Sequence, residues 1–544
     1  MAPTPTRLRF GIVSSDSRLP AWAGQCVRQL RSCGAAELVL WIRDAAQQNG
    51  SSWEYHGVLH RLYRRHWLER RSTALAPVEL APELGAAQRL DCAASGAGCD
   101  ARALQQIREL GLDFILCFDD RALASELLEV ARLGVWSYEH AISSAPYFRE
   151  VLEGSARTRV ELLQRRPGRT TSLYRGFFGT CQASWVNTIE RAFWGSTDWC
   201  ARVCAELSAL GPERFEQSRS LTSDGAAAAP RNRELLGLLT KSARSSLEKL
   251  WELLFHVEVW NVGIAAESLE QILRQARIDE ASVTWCGAHS PGNFIADPFS
   301  YVQDGKACVL VEDYVDGKGR ICTLSDSLVP ERVGLSVDLD LPYHMSYPCI
   351  FTEGGETYCV PETYQAGHVS LYKRAGRQWV LVRTLLEGKP VVDPTLFKHE
   401  GRYWLLFTLQ DDGAWGNQKL YAYYADSLDS EWKPHLLNPV KCDIGSTRPA
   451  GSPFVVNGVL YRPSQDCSQT YGGAVVINEL RRLSPSEFVE LEAARIEPMK
   501  NGPYPAGLHT LNPMGEQAVF DSKKFSFDWL AWRKNWSRLH EVFR

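Results

Sequence analysis

The sequence predicts a multidomain chain, an α/β domain followed by an all-β five-bladed propeller, and three observations carry that expectation. Strand phrases that open on a polar residue recur at about fifty-residue intervals through the C-terminal half. Helix and strand periods alternate through roughly the first two hundred residues. The length of 544 residues is more than one ordinary core can fill.

Taken in order, Arg9-Phe-Gly-Ile-Val-Ser-Ser15 reads as a short buried strand, Trp22 to Leu30 carries a helical period, and Glu37-Leu-Val-Leu-Trp-Ile42 reads as a second strand. A helix around Ala101 to Leu110, the apolar strand Phe114-Ile-Leu-Cys-Phe118, a helix from Ala122 to Ala131 and the strand Gly134-Val-Trp-Ser137 continue the alternation. This pattern predicts a mostly parallel, Rossmann-like sheet with helices on both faces, over residues 1–205. Between Gly211 and Asn232 the chain becomes poor in large apolar groups and reads as a linker. Glu234 to Phe255 follows with leucines at helical spacing, so 206–255 is expected to be linker plus amphipathic helix.

The propeller is expected over 256–544. Asp297, Tyr347, Asp393, Ser452 and His509 open its successive phrases, spaced by 50, 46, 59 and 57 residues. Each phrase is followed by a second apolar strand, across tight turns such as Asp304-Gly305 and Asn457-Gly458. The last phrase is short of strands, and Val257-Glu-Val-Trp-Asn-Val-Gly-Ile264 alternates as a strand that would complete that blade. Closing the ring in this way removes exposed sheet edges.

Composition narrows the function classes. A formal charge of -4 provides no basic field, so nucleic acid and anionic membranes are not favoured as general partners, although a total does not describe a local patch. The fifteen cysteines are scattered without a C-x-x-C pair and read as reduced core residues. The first residues lack the pattern of a secretory signal, and no apolar run reaches the length of a membrane span; the expected compartment is the cytoplasm.

A propeller points the starts of its innermost strands at the central channel, so the five equivalent positions should converge there. Two carboxylates, Asp297 and Asp393, facing one funnel would repel and separate their pKa values, which suits acid/base work on a glycosidic bond. Glu362, in Val-Pro-Glu-Thr, is the candidate acid, with Glu312 near the same mouth. Tyr347, His344, Arg448, Arg462, Gln465, Asp466 and His509 are the candidates for holding substrate; no metal-ligand set is assigned. The plainer readings stand beside these. An Asp before Pro often only forms a turn, Tyr347 suits a blade core, Arg462 with Gln465 and Asp466 could form an internal polar network, and His509 could brace the channel.

The phrases Ala296-Asp-Pro-Phe299, His344-Met-Ser-Tyr-Pro348, Asp393-Pro-Thr-Leu-Phe397, Tyr403-Trp-Leu-Leu-Phe407, Arg462-Pro-Ser-Gln-Asp-Cys467 and Gly507-Leu-His-Thr510 resemble the N-terminal propeller of the glucosamine inositolphosphorylceramide transferases. More distantly, Asp-Pro opening blades one and three and a His in blade five resemble arabinanase and β-xylosidase type propeller hydrolases. That second resemblance implies Asp297 as general base, Asp393 as the group that tunes pKa, and His509 as a holder of a metal ion or water. Its fourth-blade acid is absent here, where Arg448 stands instead. In the first domain, Leu112-Asp-Phe-Ile-Leu-Cys-Phe-Asp-Asp120 and Gly134-Val-Trp-Ser-Tyr-Glu-His140 resemble the folate-dependent formyltransferases. That resemblance implies a site at His140, with Tyr138 where the family has Asn, and a tetrahydrofolate cofactor if the domain is active.

The leading expectation is a carbohydrate-active enzyme, for glycosyl transfer or glycoside hydrolysis, with a sugar or glycoconjugate in the funnel. The alternatives are a formyltransferase-like enzyme acting on an amino sugar or other amine, and a non-catalytic glycan-binding or assembly protein.

Overall fold

The computed structural model describes residues 7–44, 58–85, 87–94, 99–119, 123–143, 145–217, 220–221, 230–287, 293–324, 334–410 and 416–536. The chain divides into two compact units, 1–245 and 246–544. Residues 218–219 and 222–229 of the expected linker lie outside the described residues, as does Ala122 at the start of an expected helix, and Pro212–Gln217 within that linker is a short helix.

The first unit is built on an eight-stranded sheet. Five strands are parallel, in the order Gln88–Cys92, Ala36–Asp44, Leu8–Ser14, Phe114–Cys117 and Val135–Tyr138. Arg157–Arg166, Arg169–Gly179 and the short Ser220–Leu221 extend it antiparallel. The near-continuous apolar runs of the parallel strands follow from burial on both faces, with Phe10, Ile12, Phe114, Ile115, Val135 and Trp136 all inaccessible. Helices form where the 3.6-residue period is apolar on one side; Ala101–Glu109 buries Ala103, Leu104 and Ile107 and is capped by Asp100, whose side chain accepts the Ala103 N–H at 2.7 Å. One expectation about cysteine is corrected here. Cys92 and Cys99 are joined by a disulfide, since the chain folds back to bring their Cα atoms within 5.2 Å, so the cysteines are not all reduced core residues.

The second unit is a ring of five antiparallel sheets. In blade one the strands are Phe294–Gln303, Lys306–Val315, Lys318–Leu324 and Leu335–Leu339, and blades two to four begin at Ser346, Val391 and Phe454. Blade five takes its inner strands from Gly507–Met514 and Gln517–Phe527 and its outer ones from His256–Ala265 and Val283–Trp285. The strand expected to close the ring does so, pairing with Gln517–Phe527 from His256↔Phe527 to Ala265↔Ala518. The helix Asn232–Phe255 leads into that strand and contains the division between the units.

The inner hairpins show how sequence sets register. Their two-residue turns have positive φ at both positions: Asp304 and Gly305, Gly354 and Gly355, Glu400 and Gly401, Asn457 and Gly458. This is the turn whose twist matches that of the strands, and it favours Asn, Asp and Gly. Near the start of the innermost strands the register slips by an extra residue, between Ala296 and Phe299, Ser346 and Cys349, Val392 and Thr395, and Leu508 and Leu511. In the first three blades the bulge falls on Asp297, Tyr347 and Asp393, each followed by Pro and each at positive φ (50°, 43° and 49°). Bulges of this kind re-aim side chains, and the strain of a non-glycine residue there persists only where its surroundings over-determine it.

Candidate functional site

The surroundings that hold those bulges are carboxylates. The Asp297 N–H donates to Asp521 Oδ2 at 2.7 Å, the Tyr347 N–H to Asp297 Oδ2 at 3.1 Å, and the Asp393 N–H to Glu362 Oε2 at 2.9 Å. Each N–H freed by a register slip is therefore satisfied by an acidic side chain, and the acids are drawn to the ring centre by the same irregularity that strains the backbone.

Asp297 is buried and fully engaged. Its Oδ1 accepts from Thr510 Oγ1 at 2.8 Å and lies 3.2 Å from His509 Nε2. Burial pushes its carboxyl up to about 6, against the pull of His509 and with the repulsion of Asp393 and Asp521 added. His509 is held between two acids, Nδ1 lying 2.6 Å from Asp521 Oδ1, and it packs on Trp260 with centroids 4.0 Å apart. Burial disfavours its charge, but Asp521 and Asp297 outweigh that and raise its pKa. Asp297, His509 and Asp521 each offer a ligand atom within 4.8 Å of the others. With a carboxylate on each ring nitrogen, the arrangement fits an imidazolium carrying both protons better than a metal ligand, which must leave one nitrogen bare.

Asp393 is clamped by Arg448, which donates through Nε to Oδ2 at 2.6 Å and through Nη2 to Oδ1 at 3.2 Å, while Gln465 Nε2 adds a bond of 2.9 Å. Arg448 also lies over the Tyr471 ring at 4.8 Å and reaches Glu362 Oε2 at 4.0 Å. Burial, with Asp393 beside it, holds Glu362 well above the usual carboxylate range. Glu312 is raised likewise, by burial first and then by Asp297, Glu362, Asp521 and Asp393. His344 faces Glu312 at 3.6 Å; its Nδ1 accepts the Gly319 N–H at 2.9 Å, so the proton sits on Nε2, toward the acid. A Cβ on Gly319 would collide with Glu312 and the Met345 carbonyl, which makes glycine necessary there. Burial lowers the His344 pKa to about 4.

The remaining candidates are placed elsewhere. Arg462, 1% exposed, forms a two-pronged pair with Glu490 in its own blade, at 2.9 and 2.6 Å, and donates to the Ser446 and Thr447 carbonyls. Asp466 is paired with Arg495 and caps the Ser468 N–H. Tyr347 is fully buried, its hydroxyl tying Thr395 at 2.9 Å to the Gly451 N–H at 2.7 Å. These three brace the blades, and Gln465 orients Asp393. Asp521 and Thr510 were not singled out from the sequence. Asp521 lies one residue from Ser522, which pairs with Leu508 as Glu312 pairs with Ala296, so reading along second strands would have reached it.

In the first unit, the residues expected to form a site are packed among aromatic rings. His140 is 1% exposed, stacked on Phe193 at 4.0 Å and edge-on to Trp22 at 4.7 Å. Its Nδ1 bonds the Tyr147 hydroxyl at 2.9 Å, its Nε2 is buried with no hydrogen-bond partner, and burial lowers its pKa to about 3. Tyr138 is 0% exposed and donates to the Ser196 carbonyl at 2.9 Å. Both residues are thus engaged in aromatic core packing, and the position of the family's Asn is filled by a tyrosine bonded to backbone. The formyltransferase-like site is therefore not borne out, and the unit stands as an α/β domain.

Residues 276–504 match the family described as glucosamine inositolphosphorylceramide transferase 1, N-terminal. Among curated relatives, the chain is 35% identical over 215 residues to glucosamine inositolphosphorylceramide transferase 1 of Arabidopsis thaliana, covering 37% of this chain and 27% of that one. It is 32% identical over 223 residues to the protein of the same name in Oryza sativa subsp. japonica, covering 39% and 30%. The chain thus spans under a third of the length of these relatives. Solved structures with a similar propeller include an α-L-arabinofuranosidase from Podospora anserina (10% identity, TM-score 0.33, 44% of this chain and 94% of that one) and an exo-β-1,3-galactanase from Clostridium thermocellum (15%, TM-score 0.30, 38% and 52%).

Proposed function

We propose that the propeller channel binds a sugar or glycoconjugate and carries out acid/base chemistry on it, as glycosyl transfer or glycoside hydrolysis. The observation that carries this reading is the convergence of Asp297, Glu312, Glu362, Asp393 and Asp521 on one buried ring centre, reached by ion pairs from Arg448 and His509. Such a set separates roles. Glu362, kept protonated by burial and by Asp393, is able to give a proton to a leaving oxygen. Asp297, near 6, can take one from a hydroxyl or water. Asp393 is spent on Arg448 and tunes the other two. The similarity over 276–504 supports a substrate related to the glucosamine and inositolphosphorylceramide in the relatives' name.

The test uses the full chain with a panel of aryl glycosides and of nucleotide-sugar donors paired with an inositol phosphate acceptor. Asp297→Asn and Glu362→Gln should each lower turnover by roughly 10²–10⁴-fold. Wild-type turnover in both variants would sink the proposal. A second reading has its own support, because the oxygens of Asp297 and Asp393 are already occupied by protein donors. It makes the channel a glycan-binding site without turnover, and calorimetry with the same sugars would show binding where the assay shows none.

A further inference from the structure

Outside the channel, the helical run Val58-Leu-His-Arg-Leu-Tyr-Arg-Arg-His-Trp-Leu-Glu-Arg-Arg71 of the first unit stands out for what it exposes. It begins as α-helix (Val58–Tyr63), passes through a π-helical turn (Arg64–Leu68) and ends in Glu69–Arg71. One side is anchored: His60 and Leu68 are buried, and Tyr63 stacks on Trp185 at 5.9 Å. The other side shows Val58, Leu59, Leu62 and Trp67 to solvent, at 60, 42, 50 and 46% exposure. Interleaved with them are Arg61, Arg65 and Arg70, also exposed, and Arg71, whose guanidinium lies 3.9 Å from the Trp67 ring centre. The run holds five arginines and one acid, Glu69, which pairs with Arg64 at 2.7 Å. A local excess of positive charge thus sits in a chain whose formal total is -4.

We propose that this helical run docks the protein on an anionic lipid surface. Leucine and valine side chains beside a tryptophan, rimmed by arginines, match the boundary between acyl chains and headgroups. There the aliphatic groups leave water, the indole sits at headgroup level, and guanidinium groups meet lipid phosphates. A nucleic acid would account for the arginines and leave Leu59 and Leu62 without a role. An apolar protein groove would account for the leucines and strand the charge excess.

Flotation of the full chain with vesicles tests this. Binding is expected to vesicles of phosphatidylcholine with about one-third phosphatidylserine, not to phosphatidylcholine alone, and to fall when salt reaches about 0.5 M. Arg65→Gln/Arg70→Gln should weaken it about 25-fold, at about fivefold for each charge lost. Leu62→Ser/Trp67→Ser should weaken it comparably, whereas Arg65→Lys/Arg70→Lys should retain it. All these positions are exposed, and thermal melts followed by circular dichroism verify that the variants fold. Asp297→Asn should bind vesicles as the wild type does, which separates this proposal from that for the channel. It is overturned if the wild type ignores the anionic vesicles, if both weakening variants bind normally, or if a short DNA duplex displaces the vesicles at equal phosphate concentration.

Discussion

Two buried polar clusters in the same propeller invite comparison. On blade four, Glu490 is closed on by Arg462 of the same blade and by Lys441, whose strand pairs with blade three, at 2.6 and 2.7 Å, and its side chain is 3% exposed. Its carboxyl is lowered to about 2 because the two cations outweigh the burial that would raise it. At the ring centre the acids are equally buried, yet Asp297, Glu312 and Glu362 are all raised. Burial does not distinguish the two; charge balance does. A cluster whose cations match its acids holds the fold together, whereas one with acids in excess retains protons that chemistry can use.

The largest effect should come from unbalancing the first cluster. Arg462→Met leaves Glu490 buried with Lys441 alone and strands the Ser446 carbonyl, so about 3–5 kcal/mol of stability should be lost in urea unfolding. Sugar binding by the folded fraction should be unchanged, and a loss of binding without a loss of stability would break the distinction. Arg448→Met is the intermediate case, since Arg448 both balances Asp393 and lines the candidate site. It should cost about 2–4 kcal/mol and also reduce binding. Glu362→Gln should act in the opposite sense. Its amide oxygen can still accept the Asp393 N–H, and a neutral amide removes the cost of protonating a buried carboxyl on folding at neutral pH, so the thermal midpoint should rise by a few degrees as turnover falls.

Much of the propeller was legible because its signals are local and repeated. Asp-Gly and Asn-Gly turns fix hairpin register, and the recurring polar-residue-then-proline phrase marks the bulges of the first three blades. The alternation of Val257–Ile264 pointed to the closure of the ring, because the last repeat is short of strands, and His256–Ala265 does pair with Gln517–Phe527. The partners of each side chain were not legible, since they depend on pairings between blades. Arg462 and Arg448 look alike in sequence, but one turns to Glu490 on its own blade and the other back to Asp393 on blade three. Nor could His140 be read correctly from spacing, because the aromatic residues that enclose it, Trp22 and Phe193, come from distant parts of the chain.

The smallest predicted effect separates the clusters by the sign of their pH dependence. Asp297 is raised from an ordinary 3.8 to about 6, so the folded protein binds that proton more tightly than the unfolded chain. The stability it contributes is fully present below pH 3.8 and is lost as pH rises through 6. Glu490 is lowered from 4.5 to about 2, so its contribution is present above pH 4.5 and is lost as pH falls through 2. Thermal midpoints measured across this range should therefore decline on both sides of a maximum near pH 4–5. Asp297→Asn should make the limb between pH 4 and 6 less steep, with Glu312 and Glu362 still contributing to it, and leave the acid limb in place, while Glu490→Gln should spare the upper limb and weaken the acid one. If one substitution altered both limbs, the clusters would be a single coupled network, and the division between brace and site would have to be redrawn.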